Sequence, residues 1–342
     1  MKFVSRCPKG LLIILCLASI THFVLWAYGQ TSPEIRRTND SGEYTRAAKN
    51  LLEDGTLYGG RHVNDQKPAH FSRRPPLYPL LIASLRPVSR DSGLIVLAQV
   101  LLNFLGAYLL WEILGSLKVK GQLKTALVAF YLFYPTQLIY SHLIMAEILL
   151  QLMLLSSFFF LLRFHETRCW YYLALCNLLV GLAALTKPIM VYFWFPSLLY
   201  QAWLLWRTGK QKFLILALIP LFFVTLWSYR NYLHTGYFHF SSIKNSNMMH
   251  VNIHRLVDEA EGDQASISAT RNLKREVRQA ENFAEASKTI ERAFFEAVFV
   301  HWKTLPMMYA RGSLFFFLDP GRFDLYEFLD LPHNFRSYAF LK

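Results

Sequence analysis

Asp40, Glu43 and Tyr44 stand close together in a polar stretch, and Arg73 and Arg74 follow just ahead of Pro75 and Pro76. Apolar runs flank the whole stretch. A carboxylate, a tyrosine and paired guanidiniums at a membrane surface suit an enzyme acting on a lipid-linked phosphate. A channel or plain anchor has little use for such a set. Each member also has a plain structural reading. Asp40 lies where a short helix starts and can serve as its N-cap. Arg73 and Arg74 can be interfacial anchors that snorkel toward lipid headgroups. Glu147 falls in an apolar run, where an ionisable side chain is a functional candidate by default, although it can also end a helix in water.

The elements that position these residues follow from the apolar pattern. The 342-residue chain is 54% hydrophobic, 16% aromatic and 17% charged, with a mean hydropathy of +0.24. That mix describes a polytopic membrane protein with polar loops. Spanning the bilayer core takes about 20 apolar residues. Runs of about that length are expected near 11–28, 94–117, 125–143, 145–164, 170–186, 189–206 and 212–229, with Pro135 interrupting the third. The basic segment before 11–28 resembles a signal peptide's n-region, but the apolar run is long and no small-residue cleavage site follows. We read it as a first transmembrane helix. Region 293–342 is expected to hold an eighth span and a short tail, although His301, Lys303, Pro306 and Arg311 interrupt its apolar pattern.

The formal charge of +13 does not imply nucleic acid. The cations cluster in short loops, and no zinc-finger or RNA-recognition motif accompanies them. They read instead as topology signals and anionic-lipid contacts. Lys2, Arg6 and Lys9; Lys118, Lys120 and Lys124; Arg163 and Arg168; and Arg207, Lys210 and Lys212 all fall on one side of alternating spans. The positive-inside rule makes that side cytoplasmic. The loop at 29–93 and the segment after Arg230 then face the non-cytoplasmic side. Cys7, Cys16, Cys169 and Cys176 form no CxxC pair and read as small apolar residues.

Within loop 29–93, Tyr44, Ala47, Ala48, Leu51 and Leu52 recur at helical spacing, so 43–53 is expected to be an amphipathic helix stopped by Gly55. Pro75, Pro76 and Pro79 rigidify entry to a membrane-facing segment at 77–85. The expected organisation is a transmembrane core at 1–230 containing this loop, an external soluble helical segment at 231–292 and the region 293–342. Residues 258–296 carry no proline and many helix formers. His250, His254 and Asp258 could share one helix face, but the outer two would stand roughly 12 Å apart, too far to share an ion. His142, His165, His234, His239, His250 and His254 read as solvated loop residues.

The motifs together resemble a known family. Asp40-x-x-Glu43-Tyr44, Ala48-x-x-Leu51-x-x-x-Gly55 and Arg74-Pro75-Pro76-x-Tyr78-Pro79 resemble the first external loop of GT-C membrane glycosyltransferases. The nearest group is family 39 and its relatives, which include protein O-mannosyltransferases and lipid A aminoarabinose transferases. Glu147, the Gly181–Pro188 segment and the Trp227-x-x-Arg230-Asn231 exit agree in order and topological side. The family usually places Glu directly after the loop aspartate; here Ser41 follows Asp40, and the acid returns at Glu43. Members usually continue through several more helices than this chain has.

The resemblance implies an all-α, polytopic GT-C-like bundle in the cell's inner or plasma membrane. It implies inverting transfer of a sugar from a polyprenyl phosphate to a glycan, lipid or protein acceptor on the non-cytoplasmic face. Asp40 would be the base, with Glu43 and Glu147 as further catalytic carboxylates. Tyr44, Arg73, Arg74, Lys187 and Arg230 would bind donor phosphate. Lys187 and Arg230 can equally be helix-end cations. No cofactor is expected, although some relatives bind a divalent ion, and no nucleotide-binding glycine loop is present. The rival class is a non-catalytic subunit or a lipid or solute transporter of the same fold. A transporter would be expected to show paired broken helices or inverted halves, and the sequence has no such symmetry.

Overall fold

A computed structural model describes residues 8–61, 67–318 and Phe328. Lys2, Arg6, Cys7 and nearly all of the tail expected after 318 lie outside the described residues. The described residues form helices and loops with no strand, which makes the protein an all-α polytopic bundle. In chain order the principal helices are α1 (Lys9–Thr31), α2 (Asn39–Asp54), α3 (Leu77–Leu85), α4 (Ser92–Ser116), α5 (Gly121–Phe133), α6 (Pro135–His142) and α7 (Glu147–Thr167). There follow α8 (Trp170–Ala184), α9 (Trp194–Arg207), α10 (Ile219–Thr235), α11 (His254–Glu261), α12 (Asp263–Gln279), α13 (Phe283–Val300) and α14 (Leu305–Leu318).

Among the described residues, five helical stretches are long and apolar enough to cross a membrane: Lys9–Thr31, Ser92–Ser116, Glu147–Thr167, Pro188–Arg207 and Gln211–Thr235. Their outward side chains are apolar, as at Phe23, Leu101, Leu199 and Phe222, all exposed. Water would not tolerate that surface; lipid does. The shorter α8 packs against α7 and α10.

The third expected span divides. Tyr134 takes an extended conformation, φ −62° and ψ 127°, between α5 and α6. Proline disfavours helical geometry in the residue before it and lacks the N–H that would continue the ladder. A turn over 301–304 interrupts the expected eighth span between α13 and α14, and α14 is described as far as Leu318.

Buried amides and imidazoles tie the spans together. Asn177 and Gln201 exchange side-chain hydrogen bonds at 2.9 and 3.0 Å between α8 and α9. His22 of α1 and His142 of α6 pair through their ring nitrogens at 3.0 Å, and Asn103 of α4 stands 3.2 Å from His22. His142 and His239 are buried, which corrects the expectation of solvated histidines. Packing encloses their rings; His142 Nε2 and both His239 nitrogens have protein partners, and His142 Nδ1 has none among the described residues. His165, His234 and His250 are exposed as expected, although on helices and not in loops, and His254 is half-buried.

After α10 the chain is helical and amphipathic. Ile253, Val257 and Leu273 form a small core among α11, α12 and α13. Glu291 anchors α13 by accepting from Lys244 at 2.6 Å and from the Tyr237 hydroxyl at 2.8 Å. Those contacts hold its carboxyl below the usual range, although partial burial pushes the other way.

Candidate active site

Helix α2 starts earlier than its apolar spacing suggests, at Asn39. Thr38 is its N-cap residue, and the Thr38 N–H donates to Ser41 Oγ at 2.9 Å. The cap position therefore belongs to Thr38, and Asp40 lies inside the first turn. Gly55 ends the helix in the left-handed region at φ 66°, where glycine adds no steric cost. Ser41 also donates to the Ile144 carbonyl at 2.8 Å, and the Ile144 N–H donates to the Arg36 carbonyl at 2.8 Å. The loop is thus fastened to the corner just ahead of Glu147. Ser41, which stands where the family usually has a second acid, makes that fastening.

Asp40 and Glu43 are three positions apart, so both project from one helix face. Arg74 bridges them. Its Nε donates to Glu43 Oε2 at 2.6 Å and its Nη2 to Asp40 Oδ1 at 2.5 Å. Arg73 Nε lies 2.8 Å from Glu43 Oε1, a charge contact too bent to count as a hydrogen bond. Arg74 is only 7% exposed, Glu43 11% and Arg73 32%, whereas Asp40 is 40% exposed. Both Glu43 oxygens face arginines. Asp40 keeps an open side.

Arg74 also sits over the Tyr44 ring, 5.1 Å from its centroid. Burial works against the guanidinium charge, but the Tyr44 oxygen, Glu43 and Asp40 outweigh it and raise its pKa further. Tyr44 is itself buried and meets Tyr78 edge-on at 4.9 Å. Burial raises the Tyr44 phenol well above its ordinary range; Arg74 opposes that shift and Glu147 adds to it. Both tyrosines therefore keep their protons at neutral pH. Tyr44 lies beneath Arg74, enclosed by protein.

A second ion pair stands beside this cluster. Lys187 Nζ lies 2.5 Å from Glu147 Oε1, and both side chains are about a quarter exposed. Glu147 Oε2 is buried with no hydrogen-bond partner among the described residues. The Leu77 N–H donates to the Leu185 carbonyl at 2.9 Å, which joins the start of α3 to the turn that carries Lys187. Glu147 is close enough to act electrostatically on Tyr44 and Tyr78.

Arg230 is not part of either cluster. Its guanidinium donates to the carbonyls of Phe71 and of Leu57, the latter at 2.8 Å, and lies over the Trp227 ring at 4.8 Å. It holds the loop's backbone. Among the described residues no group of three His, Cys, Asp or Glu side chains could hold a metal ion.

Sequence reasoning missed two sets of supports. Gln99 of α4 is fully buried, accepts from the Tyr78 hydroxyl and donates to the Leu143 carbonyl at 2.7 Å. An amide inside an apolar span was the available signal. The second set clamps the backbone leading to the arginines. His239 Nε2 meets Ser72 Oγ at 2.7 Å, Ser241 Oγ donates to the Arg73 carbonyl at 2.8 Å, and Ser242 Oγ donates to the Ala69 carbonyl at 2.6 Å. These polar residues follow α10 in no motif, so nothing in their spacing pointed to the site.

Residues 73–229 match the family model of dolichyl-phosphate-mannose-protein mannosyltransferases. The match is a likeness to that membrane glycosyltransferase family over this segment, a little under half of the chain, and the apolar helices agree with a membrane location. No curated protein and no solved structure matches the chain. Arg73, Arg74, Glu147 and Lys187 lie within the matched segment. Asp40, Glu43, Tyr44 and Arg230 lie outside it, and Asp40 and Glu43 join it through the Arg74 contacts.

Proposed function

We propose that this protein transfers a sugar from a polyprenyl phosphate to an acceptor hydroxyl on the non-cytoplasmic side, inverting the anomeric carbon, with Asp40 as base. The observation that carries the proposal is the contact between Arg74, inside the family segment, and Asp40, the most exposed carboxylate of the cluster. In the step, the acceptor oxygen attacks the anomeric carbon and Asp40 takes the hydroxyl proton. The bond from that carbon to the phosphate oxygen breaks, and the polyprenyl phosphate leaves with the electron pair.

The leaving phosphate needs cations more than it needs a proton. Arg73 and Lys187 are the donor-phosphate contacts with partly exposed side chains, and Arg74 supplies fixed positive charge behind them. Glu43 and Tyr44 act through Arg74, by ion pair and by ring contact, and Arg230 acts through the loop backbone. Glu147, with one oxygen unpartnered, receives an acceptor hydroxyl or returns to Lys187 once the phosphate departs. A dolichyl-phosphate-like mannose donor and a protein acceptor are the first substrates to try, because the matched family is described by them.

The test is sugar transfer by the purified protein in lipid nanodiscs, with labelled polyprenyl-phosphate sugars and a membrane extract as acceptor source. Label should leave the lipid with wild-type protein and stay on it with Asp40→Asn. A folded wild-type protein that binds donor but neither transfers nor hydrolyses the sugar would favour the rival reading, a non-catalytic subunit or a transporter.

A further inference from the structure

The amphipathic helix α2 and helix α3 lie side by side. Tyr44, Ala48 and Leu51 of α2 share one apolar cluster with Tyr78, Ile82 and Leu85 of α3. The rings of Tyr44 and Tyr78 meet near one end. At the other end Lys49, Leu52 and Glu53 of α2 line a cavity with Arg86, Pro87 and Arg90, which follow α3. The helices therefore run parallel, with the candidate active site at their starts and this cavity at their finishes. Lys49 is nine positions beyond Asp40, about 13 Å along the helix axis.

The cavity has a volume of about 420 Å³. Three cations and one carboxylate line it. Glu53 pairs with Lys49 at 3.5 Å, both side chains more than half exposed, and such a surface pair neutralises little. The carbonyl ends of two helices add partial negative charge, which still leaves the cations in excess. Arg86 Nε is buried with no hydrogen-bond partner among the described residues. A buried N–H without an acceptor is costly, and an anionic oxygen in the cavity would remove that cost. Apolar surface adjoins the charge: Leu52 is 50% exposed and Val88, next to Pro87, is 79% exposed. Cations beside exposed apolar side chains, on helices lying against a membrane bundle, match a headgroup with its acyl chains alongside.

The geometry points to a binding site for the phosphodiester headgroup of an anionic glycerophospholipid, held by Arg86, Arg90 and Lys49 at the finish of α2 and α3. The site lies apart from the proposed transfer chemistry. It rests on the reading that loop 29–93 lies against the membrane surface.

The experiment uses the full chain in phosphatidylcholine nanodiscs carrying a small fraction of fluorescent phosphatidylglycerol, with energy transfer from a donor dye on the protein as the readout. Wild-type protein should take up phosphatidylglycerol saturably, and millimolar inorganic phosphate should not displace it. Arg86→Gln with Arg90→Gln should weaken that uptake about tenfold or more, while a fluorescent phosphatidylcholine probe stays at its unsaturable background. Unchanged uptake by the double variant overturns the inference. Displacement by inorganic phosphate at equal strength also overturns it, in favour of a site for free phosphate. If the double variant does not fold, exposed Lys49→Gln is read in its place, with a loss of about threefold expected and no loss overturning the inference. Uptake is measured without any sugar donor. Lost transfer with lipid uptake intact would count against the proposed function alone, and the converse against this inference alone.

Discussion

Arg74 Nη2 lies 2.5 Å from Asp40 Oδ1, joining residues 34 positions apart. The contact brings the family segment's first basic motif onto a carboxylate that the segment does not include. It also constrains how Arg74 can be tested. Removing a buried cation that holds two carboxylates costs roughly 3–5 kcal/mol, so Arg74→Ala should fold poorly. Arg74→Lys keeps the charge and loses the fork. It should fold, with a partial loss of turnover; full activity would remove the need for the bridging geometry.

Arg73 separates donor binding from folding, because its side chain is about one third exposed. Arg73→Ala should lower the melting temperature little and weaken donor affinity by roughly tenfold, the loss of about one charge-assisted contact. Titration of a fluorescent polyprenyl phosphate measures it. Unchanged affinity would assign the donor phosphate to Lys187 without Arg73.

Gln99 offers a test of positioning at a distance. It satisfies the Tyr78 hydroxyl on one side and the Leu143 carbonyl on the other. Gln99→Leu takes the acceptor from the buried Tyr78 hydroxyl, at about 1–3 kcal/mol, while the Leu143 carbonyl keeps the Met145 N–H. Thermal unfolding in detergent should shift downward. If the Tyr78–Tyr44–Arg74 stack positions the base, kcat should fall while KM for donor changes little. An equal change in both would reduce Gln99 to a structural tie.

Orientation is checked with single cysteines in a background without Cys7, Cys16, Cys169 and Cys176. Arg61, Glu259 and Lys120 are all exposed. Arg61→Cys and Glu259→Cys should react with an impermeant thiol reagent added outside intact cells, and Lys120→Cys should not. The reverse pattern would put the candidate site on the cytoplasmic face.

The spans were legible because lipid demands long apolar runs with internally bonded backbone, and α1, α4 and α7 fall where the composition puts them. Pro135 announced the break between α5 and α6. The capping of α2 was harder to read: Thr38, Asn39, Asp40 and Ser41 are all good cap formers, and only the tertiary bond from Ser41 to Ile144 decides among them. Arg74 was legible as a basic-Pro motif, but its bridge across Asp40 and Glu43 depends on how the 67–74 backbone lies against α2. His239, Ser241 and Ser242 hold that backbone from far along the chain, and such long-range polar contacts leave no periodic trace.

Asp40→Asn decides the catalytic assignment. Thr38 takes the cap position, so Asp40 no longer has the plain N-cap explanation. Asparagine retains an oxygen for Arg74 and nearly the same shape, so the fold and donor binding should survive. It cannot take the acceptor's proton, and kcat should fall by roughly 10²–10⁴-fold. Glu43→Gln is the control. Its two oxygens face Arg73 and Arg74, so losing its charge should loosen the arginines and lower stability more than it lowers turnover of the folded fraction. Abolished turnover in Glu43→Gln with Asp40→Asn intact would move the base three residues along the helix. Full activity in both would leave Glu147, with its unpartnered oxygen, as the carboxylate to test next.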